Sequence, residues 1–356
     1  MENIKAVSLF SGGLDSILAT RVIMEQGVDV TAVQFVTPFF NYSVLKDIRG
    51  YQQRVFEKFG IKVRVEDISR GYMDLLKRPT YGFGKNFNPC VDCKILMLRR
   101  AKEIMAEIGA SFLVTGEVLG QRPMSQRRDT LNVIERDSDS KTILLRPLSA
   151  KLMKETEAEL KGWVDREKLY NFSGRGRSNQ IKLAKEYNIT DYPAPAGGCI
   201  LADPILSKRI QRLYEGKFTF GIDEVGVNDV ELMLVGRQLL MPFTEAEEDD
   251  TRGVWAIVGR DEGEGERMEE LAGEDDVVLH MEERPGPVVL LRKVLSSIDR
   301  EQLDQVIKTA ASLVIRYGRK VDGGLPPAEV ICRYAGETRL INALAPEDET
   351  FRDWIF

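Results

Sequence analysis

Two groups of residues in this 356-residue sequence have types and spacings suited to chemistry. The first is Ser11-Gly12-Gly13-Leu14-Asp15-Ser16. It follows the apolar run Ala6-Val7-Ser8-Leu9-Phe10 and precedes an apolar-periodic stretch from Ile17 to Met24. That order predicts a strand, a glycine-rich turn and a helix. Adjacent glycines let a backbone approach an anion closely. The N–H groups of the turn and the positive end of the helix then face that anion. Ser11 and Ser16 add hydroxyl donors, and Asp15 is placed to hold a magnesium ion beside phosphates. The turn is not a Walker A loop, because the closing Gly-Lys-Ser/Thr is missing. The second group is made of thiols. Cys90 and Cys93 lie three positions apart in Asn88-Pro89-Cys90-Val91-Asp92-Cys93-Lys94, at the start of a predicted helix. A helix N-terminus stabilises thiolates, so both are candidates for reactivity or metal binding. Cys199 follows on a loop, Tyr192-Pro193-Ala194-Pro195-Ala196-Gly197-Gly198-Cys199, that proline keeps out of a helix.

Four readings of Cys90, Cys93 and Cys199 compete. Structural zinc usually takes four Cys or His ligands, and no histidine is near these three. A redox pair at Cys90 and Cys93 lacks the usual thioredoxin context. Cys93 and Cys199 could form a working pair that carries and releases a persulfide sulfur. The three together could hold a [4Fe–4S] cluster through three irons, leaving the fourth iron free to bind sulfide. The cluster is the preferred reading. Cys332 falls in a different part of the chain and is taken as unrelated.

These residues need elements to position them. Residues 1–150 alternate predicted strands (6–10, 28–35, 62–67, 112–114 and 142–146) with predicted helices (14–26, 42–59, 91–108 and 153–163). Such alternation argues for a parallel sheet with helices on both faces. Ligands in such sheets sit beyond the carboxyl ends of the strands, where the Ser11–Ser16 turn falls. A helix over 205–216 ends at glycine, so the boundary between a domain 1–215 and a smaller α+β domain 216–356 is placed there. The second part has strand-like runs at 254–258, 277–280 and 288–291 and a helix over 300–317. Its stretch from Thr244 to Pro285 holds 16 acidic residues against 4 Arg and no Lys.

The net charge of −6 gives no bulk attraction to nucleic acid, so any RNA contact needs a local basic patch. Arg122, Arg127 and Arg128 form one such group. Lys151, Lys154, Arg175 and Arg177 form another, the last two in a Gly-Arg-Gly-Arg run expected to be a mobile, phosphate-accessible loop. A single histidine, His280, argues against a histidine triad. Four cysteines in this length imply no disulfide framework, and no apolar run reaches the ~20 residues of a membrane span. The N-terminus enters the first strand directly, without room for a signal peptide, so a cytoplasmic protein is expected.

Ser11–Ser16 matches the pyrophosphate loop (PP-loop) of the N-type ATP pyrophosphatases, and the first domain resembles the adenylation domain of the tRNA thiouridine synthetases. It is most similar to the 4-thiouridine synthetases, with features of the 2-thiouridylases. The other matching stretches are Asn88–Lys94 leading into Arg99-Arg100, and Leu113-Val114-Thr115-Gly116-Glu117-Val118-Leu119-Gly120-Gln121. The second continues through Ser125-Gln126 and Thr130-Leu131-Asn132 to Ile143-Leu144-Leu145-Arg146-Pro147-Leu148. The resemblance implies an adenine nucleotide alpha hydrolase-like fold and an ATP-dependent tRNA sulfurtransferase. ATP adenylates a uridine carbonyl, and sulfur replaces the oxygen to give a thiouridine, with 4-thiouridine as the expected product. Ser11, Gly12, Gly13, Asp15, Ser16, Gly116 and Gln121 are the implied nucleotide residues, with Mg2+. Cys93, Cys199 and Asp15 are the implied catalytic residues, and Cys90 matches the extra cysteine of cluster-dependent members. The implied partners are tRNA and a sulfur donor, either free sulfide or a cysteine desulfurase. The 4-thiouridine synthetases usually carry an RNA-binding THUMP domain before the loop, and some add a rhodanese domain; neither is seen in this sequence. The order of motifs from Val235-Gly236-Arg237 through Ile257–Glu262 to Pro285–Leu291 is similar to the RNA-binding module of the NFACT proteins. A solvated acidic face is the competing reading of that region. Two other functions stay open: sulfuration of a small molecule by the same chemistry, and a nucleotide-binding RNA-quality-control adaptor that does not need its cysteines.

Overall fold

The structure is a computed structural model that describes residues 4–194, 199–242, 252–346 and 350–356. Pro195 to Gly198 of the expected glycine loop, and Thr244 to Thr251 of the acidic stretch, lie outside the described residues. The chain divides into two compact units, Met1–Asp203 and Pro204–Phe356.

The first unit is built on a parallel sheet of β1 (Lys5–Leu9), β2 (Asp29–Val36), β3 (Lys62–Asp67), β4 (Phe112–Thr115) and β5 (Leu144–Leu145). Their order is β3-β2-β1-β4-β5. Between them run α1 (Leu14–Met24), α2 (Ile48–Phe59), α3 (Ser69–Lys77), α4 (Cys90–Glu107) and α5 (Arg128–Asp137), followed by α6 (Glu157–Leu160) and α7 (Ser178–Glu186). Alternate strand residues go to opposite faces, as the pleat dictates. Ala6, Val30, Ala32, Val114 and Leu145 share a core with Leu18 and Val22 of α1, Val55 of α2 and Leu183 of α7. Val7, Leu9, Val33, Phe35, Leu113 and Leu144 share another with Ile95, Leu98, Ala101 and Ile104 of α4 and Ile134 of α5. Both faces are therefore covered, which is why β1 and β2 read as near-continuous apolar runs. The order reverses direction between β1 and β4, so the crevice beyond their carboxyl ends is the switch point where ligands bind.

Local chemistry explains the departures from expectation. The helix expected over 42–59 breaks at Asp47, which leaves helical geometry (φ −151°, ψ 71°) and caps α2 by accepting from Gly50 N at 2.9 Å. The helix expected over 153–163 shrinks to the single turn α6, started by a capping box between Thr156 and Glu159. Gly162 turns left-handed just beyond it. The expected strand 142–146 retains only Leu144–Leu145.

The second unit holds α8 (Pro204–Arg212), α9 (Val227–Leu232), β6 (Arg237–Met241), β7 (Val254–Val258), α10 (Glu262–Leu271), β8 (Val277–Met281) and β9 (Val289–Arg292). α11 (Arg300–Tyr317), β10 (Ala328–Tyr334) and β11 (Glu337–Ala343) complete it. The strands form an antiparallel sheet ordered β11-β10-β8-β9-β7-β6, with the apolar face of α11 in its core. The division falls before α8 rather than after it near 215. The guanidinium of Arg212 lies 5.4 Å from the Phe356 ring centroid, and Arg209 faces Arg260 and Glu264. Those contacts tie α8 to the second unit.

Candidate active site

The turn after β1 is organised by its own hydroxyls. Gly12 sits at φ +73°, open to glycine at little cost, and Gly13 is the N-cap of α1. Ser16 Oγ donates to Gly13 O at 2.8 Å and accepts from Ser11 N at 3.2 Å. The two serine hydroxyls lie 3.3 Å apart. Behind the turn, buried Gln34 at the end of β2 accepts from the Tyr51 hydroxyl at 2.8 Å. A Cβ added to Gly12 would meet that hydroxyl at 3.6 Å. Burial pushes the Tyr51 phenol up to about 12.

The segment after β4 closes on the same turn. A Cβ on Gly116 would lie 2.6 Å from the backbone of Asp15 and Ser16, so only glycine permits the approach. Gln121 donates to Asp15 Oδ2 at 2.7 Å and accepts from Gln180 of α7 at 3.1 Å. Arg177 Nη2 reaches the same Asp15 oxygen at 3.3 Å. Arg177 is thus attached to the Ser11–Ser16 turn, whereas the sequence placed it on a mobile RNA-facing loop. The other Asp15 oxygen, Oδ1, is buried without a hydrogen-bond partner among the described residues. A buried, unpaired carboxylate oxygen beside an anion-binding turn fits a divalent cation.

The thiols gather around Tyr72 of α3, whose side chain is 1% exposed. Its hydroxyl hydrogen-bonds both Cys93 and Cys199. Its ring packs at 5.1 Å on Phe39 and 5.6 Å on Phe40. Cys199 is brought in by Ile200 N donating to Phe39 O at 2.9 Å and by Asn86 Nδ2 donating to Ala202 O at 2.7 Å. Asn88 Nδ2 lies 3.1 Å from Cys90 Sγ. The Asp92 carboxylate accepts from Thr80 N and Tyr81 N, each at 3.0 Å, and so fixes the preceding loop. Burial pushes the Cys93 thiol up to about 12, against the pull of Lys94, and the Cys199 thiol up to about 11. Desolvation therefore outweighs the helix N-terminus that favoured the thiolates in the sequence. Among the described residues no three His, Cys, Asp or Glu side chains are placed to hold a single metal ion. The donor set, three thiols without histidine, is poor for structural zinc and fits a cluster whose irons each take one thiolate.

A buried ion network joins the two halves of the site. Glu117, next to Gly116, accepts from Arg146 Nε at 3.0 Å and lies 3.5 Å from the ammonium of Lys94, the neighbour of Cys93. Arg146 also pairs with Glu135. Burial raises the Glu117 carboxyl, but Lys94 and Arg146 outweigh it and hold the group below its ordinary value.

The remaining candidates make other contacts. Arg127 pairs with Asp129 at 3.0 Å and Arg128 donates to Leu152 O at 3.0 Å. Both line an open cleft of about 720 Å³ with Leu119, Gly120 and Asn132. Lys151 pairs with Glu167 at 3.2 Å, while Arg122, Lys154 and Arg175 are exposed. His280 is half-buried on β8, held below its ordinary value by burial and then by Arg333. Cys332 is fully buried in β10. The sequence offers no signal for Tyr72 and Gln180, and places Arg177 only in an RNA-facing basic group, because each acts through a contact far away in sequence.

Fold and site together give a parallel α/β unit with a glycine-rich strand-to-helix turn and a thiol pocket in the same unit. Residues 2–159 match the family model of the thiamine biosynthesis protein (ThiI), and residues 251–355 match that of the NFACT protein RNA binding domain. Both resemblances read from the sequence are met by these matches. A probable tRNA sulfurtransferase of Thermococcus kodakarensis is 30% identical over 136 residues, 38% of this chain and 35% of its own. The chain thus spans about a third of the length of that relative. Among solved structures, a 4-thiouridine synthetase–RNA complex with bound ATP is 27% identical, with a TM-score of 0.33 over 52% of this chain and 50% of its own. The U34-tRNA thiolase NcsA from Methanococcus maripaludis with its [4Fe-4S] cluster is 16% identical, with a TM-score of 0.34 over 61% of this chain and 69% of its own. No helix among the described residues is long and apolar enough to cross a membrane.

Proposed function

We propose that this chain is an ATP-dependent tRNA sulfurtransferase of the cytoplasm that makes 4-thiouridine. The observation that carries the reading is the meeting, in one unit, of the pyrophosphate turn with three thiols, through Gly116 against Asp15 and Glu117 against Lys94. The match to tRNA sulfurtransferases supports the substrate class, and the second unit's match to an RNA-binding domain supports an RNA partner. The Ser11–Ser16 turn and the N-terminus of α1 hold the β- and γ-phosphates. The uridine carbonyl oxygen bonds to the α-phosphorus, and the bond from that phosphorus to the bridging oxygen breaks. The electron pair leaves with pyrophosphate, and the uracil N3 proton goes to solvent. Mg2+ on Asp15 Oδ1 would offset charge on the leaving group. A sulfur nucleophile then attacks the activated carbon and AMP departs, with no net redox change when the sulfur arrives as sulfide. Cys90, Cys93 and Cys199 would hold a [4Fe–4S] cluster, which supplies a site for that sulfur on the iron without a protein ligand.

The test is reconstitution without oxygen, with ATP, sulfide and unmodified tRNA, scored for pyrophosphate release and for thiouridine by nucleoside mass spectrometry. Both products are expected from the wild type, and thiouridine is lost on Cys199→Ser. Pyrophosphate without thiouridine, or a Cys199→Ser variant that still thiolates, overturns the sulfur assignment. Nucleotide binding with neither product supports the adaptor reading.

A further inference from the structure

The Gly174-Arg175-Gly176-Arg177 run is a prominent sequence feature that the proposed chemistry leaves without a role. Its position in the fold is specific. Gly174 N donates to Leu119 O at 2.8 Å, and Ser173 bridges to Leu119, so the run is strapped to the segment after β4. Arg177 is the N-cap residue of α7. That helix buries Leu183 and Ala184 in the core that also holds Ile17 and Leu18 of α1, the helix that begins at the pyrophosphate turn. Arg177 is therefore carried on a rigid element docked beside the anion site. Among the described residues its guanidinium makes a single hydrogen bond, from Nη2 to Asp15 Oδ2 at 3.3 Å, which is long for a charge-assisted bond. Its side chain is 24% exposed, so the remaining donors are not sealed in the core. Gln121 already donates to the same oxygen at 2.7 Å, held in turn by Gln180. Asp15 would stay oriented without Arg177.

We propose that Arg177 is a catalytic residue of the adenylation step: its guanidinium rests on Asp15 in the free protein and moves onto the pyrophosphate leaving group as the bond from the α-phosphorus breaks. This rests on the function proposed above. The leaving pyrophosphate gains the electron pair of that bond, and a guanidinium has the planar fork to take two of its oxygens at once. A polyphosphate over the turn carries more negative charge than one carboxylate, so the transfer is favourable. A donor that strengthens its contact as charge develops lowers the barrier more than it tightens ground-state binding.

The experiment compares wild type, Arg177→Gln and Arg177→Lys. It titrates each separately with inorganic pyrophosphate and with AMP, and measures single-turnover pyrophosphate release with ATP and tRNA. The expected result for Arg177→Gln is a pyrophosphate affinity lowered about 10-fold or more, unchanged AMP affinity, and release slowed about 10²–10³-fold. Arg177→Lys should recover part of the rate, since it keeps the charge but loses the fork. Equal weakening for AMP and pyrophosphate, or unchanged pyrophosphate affinity and release, overturns the proposal and leaves Arg177 as a structural partner of Asp15. A wild type that binds pyrophosphate but never releases it from ATP with tRNA refutes the adenylation reading instead.

Discussion

Replacing Gly116 with alanine tests whether the segment after β4 truly shares a site with the pyrophosphate turn. The backbone of Gly116 is not left-handed, so alanine brings no conformational strain of its own. The whole effect comes from the new methyl group, which would lie 2.6 Å from Asp15 C, Asp15 O and Ser16 N. All three are backbone atoms in the first turn of α1, so no side chain can swing away. Ordinary contact begins near 3.4 Å, and one segment must retreat by about 0.8 Å. Overpacking of this kind costs about 1–3 kcal/mol. For a unit of this size each kcal/mol lowers Tm by about 2–4 °C, so a fall of roughly 2–12 °C is expected. A displacement approaching ~1 Å at Asp15 and Ser16 should also slow pyrophosphate release about 10²-fold. Calorimetry and single-turnover kinetics on the same preparation read both effects. Gly176→Ala is the control: its Cβ meets nothing within 4 Å and its φ is not left-handed, so stability and release should match wild type. A Gly116→Ala protein with wild-type Tm and wild-type release would refute the packing of β4's segment on the turn, and with it the argument for one joint site.

Glu117→Gln leaves Arg146 and Lys94 without their shared carboxylate in a buried setting. It should cost about 3–5 kcal/mol in urea unfolding. The folded Glu117 group lies below its ordinary value of 4.5, so its stabilisation is present above that pH and is lost as pH falls through the lowered value. Wild type should therefore lose stability below about pH 4.5 more steeply than Glu117→Gln; equal slopes would dismiss the network's role. Asp229→Asn in the second unit, fully buried between Arg292 at 2.6 Å and Lys293 at 2.7 Å, should cost a similar ~3–5 kcal/mol. Tyr72→Phe keeps the ring on Phe39 and Phe40 but removes the hydroxyl from Cys93 and Cys199. It should lower Tm only slightly, by an amount matching ~1 kcal/mol, while reducing the iron retained by anaerobically purified protein. Unchanged iron content would show that the hydroxyl does not order the thiols. Cys332, buried on β10 with its thiol pushed up to about 11, should resist iodoacetamide until urea unfolds the second unit.

The alternation of strand and helix in residues 1–150 was legible because both sheet faces are covered, which makes β1, β2 and β4 read as compact apolar runs. The strand, glycine-rich turn and helix at Ser11–Ser16 were legible because the signal is local: glycines, hydroxyls and an aspartate within six consecutive residues. What escaped was set at long range. α5 and α7 carry mixed polar sequences, and they are fixed by burying Leu131 and Ile134, and Leu183 and Ala184. Tyr72 looks like any helical aromatic until Cys199 arrives from more than a hundred residues away. The Arg175–Arg177 run read as an exposed basic loop because nothing nearby in sequence reveals that Arg177 meets Asp15. Conversely, the helix expected over 42–59 failed on a local signal, since Asp47 can cap α2 as well as sit within it.

The second unit bears differently on an RNA partner. Several of its cations are matched by its own acids: Arg260 with Glu264, Arg267 with Glu231 and Glu270, Arg333 with Glu269, Arg339 with Asp304. Phosphate contacts require cations that can leave such pairs. RNA binding by this unit should therefore rest on basic residues that make no ion pair among the described residues, such as Arg319 and Lys320, both exposed after α11. Filter binding of tRNA between low and physiological salt measures the slope of affinity against salt. Replacing Arg319 and Lys320 together with alanine should reduce the slope by about two if both reach phosphate, since each phosphate contact contributes close to one. An unchanged slope with unchanged affinity would move the RNA contact to the first unit. There the exposed Arg122, Lys154 and Arg175 become the residues to replace next, and their location on the unit that carries the pyrophosphate turn would place RNA recognition and chemistry in the same fold.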